Sequence, residues 1–167
     1  MLKYPLASST WGPEELQAIQ SVIANDSYTM GSKVLEFEKA YAKYLNVNYC
    51  VMVSSGSTAN LIATAALFYT KSPMLREGDE VIVPAVSWST TYFPLQQYGL
   101  KLKFVDIDIE TLNYNLDALG DAISHNTKMI MAVNLLGNSN DFDAINNMIS
   151  GRDIFVLEDN CESLGAE

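Results

Sequence analysis

Five short apolar runs, at 49–54, 80–84, 102–106, 129–134 and 154–158, are separated by stretches long enough for helices, and this alternation leaves the chain few architectures. The runs are nearly continuous in their apolar character, as expected of strands buried on both faces. Strands of that kind, joined by crossover helices, build a parallel sheet with helices packed on each side. The stretches 57–69, 89–98, 116–124 and 142–149 supply the helices. Two more helices precede them. Gly12-Pro13 opens the first, proline being suited to an opening turn, and Leu16, Ile19 and Ile23 recur along it at helical spacing. The second carries Val34, Phe37, Tyr41, Tyr44 and Leu45 on one face. The expected fold is α/β: three layers, α/β/α, around a mainly parallel sheet.

Hydrophobic residues make up 49% of the 167, enough for a sizeable core and against disorder. Ten basic and twenty acidic side chains give a net charge of −10. That balance argues against nucleic acid and against an anionic membrane surface as partners. It leaves room for a small anion, which a few backbone amides can hold inside an acidic protein. Cys50 and Cys161 are too few for a disulfide framework. The N-terminus lacks a long apolar stretch, and the longest apolar-rich segment, 59–69, is too short to span a bilayer. A cytoplasmic protein is the expectation. One histidine, His125, and two distant cysteines do not make a metal site. His125 reads as a surface residue.

In open α/β sheets ligands sit at the carboxyl ends of the strands, so the residues following each run come first. Ser54-Ser55-Gly56-Ser57-Thr58-Ala59-Asn60 follows a run and opens a helix. The amides of Gly56, Ser57 and Thr58 would be free at that helix N-terminus to hold a phosphate, with the Ser57 and Thr58 hydroxyls beside them. A plain N-cap is the competing reading. The pattern is neither a P-loop nor the GxGxxG of dinucleotide sites. In Pro84-Ala85-Val86-Ser87-Trp88-Ser89-Thr90-Thr91, Trp88 could face an aromatic ligand or serve as ordinary core or interface. In Leu157-Glu158-Asp159-Asn160-Cys161-Glu162-Ser163, a carboxylate closing a buried run needs a partner. Asp159 is either a helix N-cap or the counter-charge to a cationic ligand nitrogen. Cys161, among acids, reads as a buried structural thiol rather than a reactive one.

Taken together, these segments describe one ligand: a phosphate at residues 56–58, an aromatic ring at Trp88 and a ring cation at Asp159. Pyridoxal 5′-phosphate (PLP) and pyridoxamine 5′-phosphate (PMP) have all three features. A carboxylate at the pyridine nitrogen keeps it protonated, so that the ring can accept electrons.

The stretches 51–60, 82–108 and 157–165, with Tyr4-Pro5-Leu6-Ala7-Ser8-Ser9-Thr10-Trp11 and Asn134-Leu135-Leu136-Gly137-Asn138, resemble the DegT/DnrJ/EryC1/StrS sugar aminotransferase family of fold-type I PLP enzymes. The resemblance implies that Gly56 and Ser57 bind the cofactor phosphate. It implies that Trp88 stacks on the ring, Asp159 pairs with the ring nitrogen and Glu162 sits near the ring hydroxyl. Most members carry Gln or His in place of Glu162 and Phe or Tyr in place of Trp88. Those two residues therefore lean toward the family's nucleotide-sugar 3-dehydratases, which deoxygenate C3 of a 4-keto sugar with glutamate as amino donor. A sugar aminotransferase on the same substrate class is the alternative. The resemblance further implies a homodimer and a seven-stranded sheet of order 3-2-4-5-6-7-1. By that order the run at 49–54 is strand 1, and its only neighbour is the seventh strand. The catalytic Lys of aminotransferases, or the His that replaces it in the dehydratase, is expected after Glu167. On this reading residues 1–167 hold the N-terminal segment and most of the cofactor-binding large domain, without the rest of that domain or the small C-terminal one. A non-catalytic remnant that binds cofactor or dimerises is the third possibility.

Overall fold

The computed structural model describes residues 8–165, and the chain divides at Met52/Val53 into two compact units. Tyr4 to Ala7 of the segment that opens the resemblance, and Glu167, lie outside the described residues. The first unit holds α1 (Pro13–Ala24) and α2 (Ser32–Tyr44). Pro13 occupies the first turn of α1, and the Glu15 carboxylate accepts from the Gly12 amide at 2.6 Å. Along α2, Phe37 stacks on Tyr41 with ring centres 5.5 Å apart.

In the second unit come α3 (Gly56–Tyr69), β1 (Glu80–Pro84), α4 (Ser89–Gln97), β2 (Lys101–Val105), α5 (Leu116–Ala122), β3 (Thr127–Val133), α6 (Phe142–Ile149) and β4 (Phe155–Asp159). The four strands are all parallel, in the order β2-β1-β3-β4. Counted as sequence runs, that order is 3-2-4-5, the arrangement the resemblance implies. Because side chains alternate along a strand, the sheet has two apolar faces. Val81, Val83, Met129 and Met131 pack with Leu95 of α4 and with Leu67 and Phe68 of α3. Ile82 and Ile130 pack with Leu119 and Ala122 of α5 and Ile145 of α6. These are the three expected layers.

The expected strand at 49–54 is not one. Tyr49 is 87% exposed, and the Met52 amide is taken by the Glu38 carboxylate at 2.8 Å instead of a ladder carbonyl. An apolar run becomes a strand only where a neighbour accepts its backbone hydrogen bonds, and no described residue pairs with this one.

Tyr114 closes the second face. Its hydroxyl donates to the Met131 carbonyl at 2.8 Å and lies 3.3 Å from that of Ile82. Burial, with a smaller contribution from Tyr92, raises its pKa well above the ordinary tyrosine value. The neutral phenol therefore stabilises the fold in full below the unfolded value of about 10, and that contribution is lost as pH rises beyond it. Tyr114→Phe is expected to cost about 1 kcal/mol near neutral pH. The gap from wild type should shrink in urea denaturation at about pH 11, where only wild type has a phenol at position 114 to ionise.

Candidate functional site

The N-terminal ends of α3 and α4 meet the carboxyl end of β4 at one side chain. Asp159 closes β4 and is 9% exposed. Its Oδ2 accepts from Asn60 Nδ2 at 2.9 Å and from Thr91 Oγ1 at 3.2 Å, while Oδ1 accepts from the Cys161 amide at 3.1 Å. Asn60 lies four residues into α3, so the start of that helix is about 6 Å away along its axis. Thr91, 1% exposed, lies one turn into α4, and its amide bonds the carbonyl of Trp88, the N-cap. Ser87 Oγ donates to Thr91 Oγ1 at 3.1 Å.

At the start of α3, Ser55 is the N-cap. Its hydroxyl accepts from the Thr58 amide at 3.2 Å, and Thr58 Oγ1 accepts from the Ser55 amide at 2.9 Å. That corrects one expectation. The amide and hydroxyl of Thr58 serve the cap, and only the amides of Gly56 and Ser57 lack a partner among the described residues. The cap and the anion site turn out to be compatible readings of one turn. Gly56 is open, with nothing within 4 Å of where a Cβ would stand. Trp88 is 72% exposed, so its indole is available to a ligand face instead of filling the core.

Glu162 accepts from the Leu136 amide at 2.6 Å. Leu136 has φ +54 inside the single turn Leu135–Gly137, and Gly137 follows at φ +86. A Cβ on Gly137 would stand 3.4 Å from the Glu162 carbonyl oxygen, so glycine suits both the backbone angle and the approach. Buried Asn134 anchors this turn. Its Nδ2 donates to Glu158 Oε1 at 2.6 Å and Asn160 Oδ1 at 2.9 Å; its Oδ1 accepts from the amide and Nδ2 of Asn140.

Asp159, Trp88, Gly56 and Ser57 are thus tied together through α3, α4 and β4, with Glu162 three residues beyond Asp159. Reading the residues alone gave no role to Asn60, Thr91 or Asn134, though all three lie in segments already singled out. Asp159 is no helix N-cap: only turns follow it through Gly165. Cys161 is exposed, not buried as expected. Partial shielding of its sulfur, then the hydrogen bond and charge of Asp159 and the charge of Glu162, push the thiol up to about 11, so it is not a reactive thiolate. His125 is exposed, as expected, and precedes β3, placing it at the amino ends of the strands, opposite Asp159.

A parallel sheet with two amides lacking a described partner at a helix start, an exposed indole and a buried carboxylate at the carboxyl ends of its strands fits one class, the fold-type I PLP-dependent enzymes. Within that class, residues 10–167 match the DegT/DnrJ/EryC1/StrS aminotransferase family, and the chain belongs to it. It is 64% identical over 166 residues to GDP-4-keto-6-deoxy-D-mannose 3-dehydratase of Yersinia pseudotuberculosis, covering 99% of this chain and 42% of that protein. The structure superposes on the Escherichia coli GDP-4-keto-6-deoxy-D-mannose 3-dehydratase with bound hydrated PLP at a TM-score of 0.97 and 62% identity. That match covers all of this chain and 43% of the other. A GDP-4-keto-6-deoxymannose 3-dehydratase with a trapped PLP–glutamate geminal diamine matches at 0.96 and 62%, over 99% of this chain and 43% of that one. The chain therefore spans less than half the length of these relatives. Among the described residues no helix is long and apolar enough to cross a membrane.

Proposed function

We propose that residues 1–167 are the N-terminal segment and most of the cofactor-binding large domain of a PLP/PMP-dependent nucleotide-sugar 3-dehydratase, which deoxygenates C3 of a GDP-4-keto-6-deoxyhexose with glutamate as amino donor. The observation that carries this is the convergence on Asp159, in a chain 62–64% identical to dehydratases of that name. The residues fit the cofactor on three counts: two amides without a partner among the described residues for a phosphate, an exposed indole for a ring face, and a nearly buried carboxylate for a ring N–H.

In this reading Gly56 and Ser57 hold the phosphate and Trp88 covers the ring. Asp159 keeps a proton on the ring nitrogen, and Glu162 shares one with the ring hydroxyl, since two adjacent anions repel. What the bound cofactor supplies is an amine for the C4 ketone and an electron-accepting ring. The two electrons of deoxygenation come from glutamate, which leaves as its 2-oxo acid with its nitrogen released as ammonia. The base at the reacting carbon, His or Lys, is expected beyond Glu167. His125, Lys101 and Lys128 cannot fill that role, because all three lie at the amino ends of their strands. The whole enzyme works as a cytoplasmic homodimer in this proposal.

The test is to add PLP, then glutamate and the 4-keto nucleotide sugar, to the chain and to the chain extended through the following reading frame. Cofactor-dependent absorbance changes are expected in both, with a 3-deoxy product and free ammonia from the extended chain. An amino sugar that retains its C3 oxygen would identify an aminotransferase instead. No spectral change in either protein would leave the non-catalytic remnant.

A further inference from the structure

We infer that Asn60 and Thr91 are positioning residues that aim the Asp159 carboxylate at the ring nitrogen of the cofactor, with Ser87 setting the direction of the Thr91 proton. The inference rests on the cofactor reading above. Among the described residues only donors meet this carboxylate: Asn60 and Thr91 on Oδ2, the Cys161 amide on Oδ1, and the Cys161 thiol beside them. Two side chains from helices 99 and 68 residues distant in sequence fix one oxygen, so the carboxylate cannot turn without breaking both bonds. A hydroxyl has a single proton. Thr91 receives a hydrogen bond from Ser87 at 3.1 Å, which leaves its own proton for Asp159.

Both helix side chains also connect Asp159 to another part of the site. Asn60 shares α3 with the Gly56 and Ser57 amides, and Thr91 sits one turn beyond Trp88 on α4. The partner of the ring nitrogen is thereby held in register with the phosphate end and the ring face. A group placed within a few tenths of an ångström by such a shell binds its charge more tightly than one left to rotate.

The test uses the full chain with two cofactors, PLP and its 1-deaza analogue, in which carbon replaces the ring nitrogen. Dissociation constants are measured for wild type, Thr91→Val, Thr91→Ser and Asn60→Ala. Wild type should prefer PLP over the analogue. Thr91→Val and Asn60→Ala should each cut that preference about tenfold, the loss of one hydrogen bond to a charged group. Affinity for the analogue should stay unchanged, and Thr91→Ser should restore the preference. With 15N-labelled PLP, the ring-nitrogen resonance should move toward the unprotonated position in the two impaired variants. If Thr91→Val fails to fold, Asn60→Ala, at a half-buried position, carries the test. Equal weakening of both cofactors would overturn the inference by showing a structural role, as would an intact preference. Absence of any preference in wild type would instead overturn the placement of Asp159 at the ring nitrogen, and the inference with it.

Discussion

Asp159→Asn should weaken cofactor binding by up to about three orders of magnitude while leaving the protein folded. A carboxylate about 4 Å from a cationic nitrogen, at an effective dielectric of about 20, contributes roughly 4 kcal/mol, and about 1.4 kcal/mol is a factor of ten. The neutral amide loses that attraction and also misfits its own shell. Asn60 and Thr91 both donate to Oδ2 and the Cys161 amide donates to Oδ1. An amide offers one oxygen and one NH2, so whichever way it turns, a donor faces a donor, at about 1–3 kcal/mol. Part of the loss should therefore appear as a lower urea midpoint in the absence of cofactor, and the larger part only in the cofactor titration. Unchanged cofactor affinity in Asp159→Asn would remove this residue from the site.

The sheet was legible because buried parallel strands leave a strong signature. The run at 80–84 is β1 without shift, 102–106 is displaced by one residue from β2, and the helix at 142–149 is α6 as read. The run at 49–54 has the same apolar signature and no ladder. Hydropathy reports that a segment prefers to be covered, whereas a strand also needs a neighbour's carbonyls and amides, which the segment's own residues do not reveal. Asp159 was legible by the same local logic, as a costly carboxylate closing an apolar run. Its partners were not. Asn60 and Thr91 reach it across 99 and 68 residues, and nothing in the spacing of an Asn in a helix or a Thr after a Trp marks such a meeting. Thr58 failed in the opposite sense. It looked like a ligand donor, yet the nearest unsatisfied group was Ser55 of its own turn, and local capping took both its amide and its hydroxyl.

Asn134 is where the largest loss of stability from one polar side chain is expected. All four of its hydrogen-bonding positions are used, two as donor and two as acceptor, and it is buried. In Asn134→Ala, water can replace it at Glu158 and Asn160, which are exposed, but not at the buried Asn140 amide. One orphaned backbone donor and the lost pairs together amount to about 2–4 kcal/mol, a large fraction of the 5–15 kcal/mol typical of a domain. The damage should reach the site, because the Gly137 amide bonds the Asn134 carbonyl and the same turn presents the Leu136 amide to Glu162. Asn134→Asp separates packing from polarity. It keeps the shape and the acceptor for Asn140, but it sets a carboxylate where Nδ2 had met Glu158 Oε1 at 2.6 Å. Two carboxylates at that distance cannot both be charged without a large penalty. The aspartate variant should be at least as unstable as the alanine one at pH 7, and should recover toward wild type as the pH falls to about 4, where one carboxyl of the pair holds a proton. Urea midpoints of the three proteins at both pH values decide the matter. An aspartate variant as stable as wild type at pH 7 would show that the Asn134–Glu158 contact does not hold the turn in place.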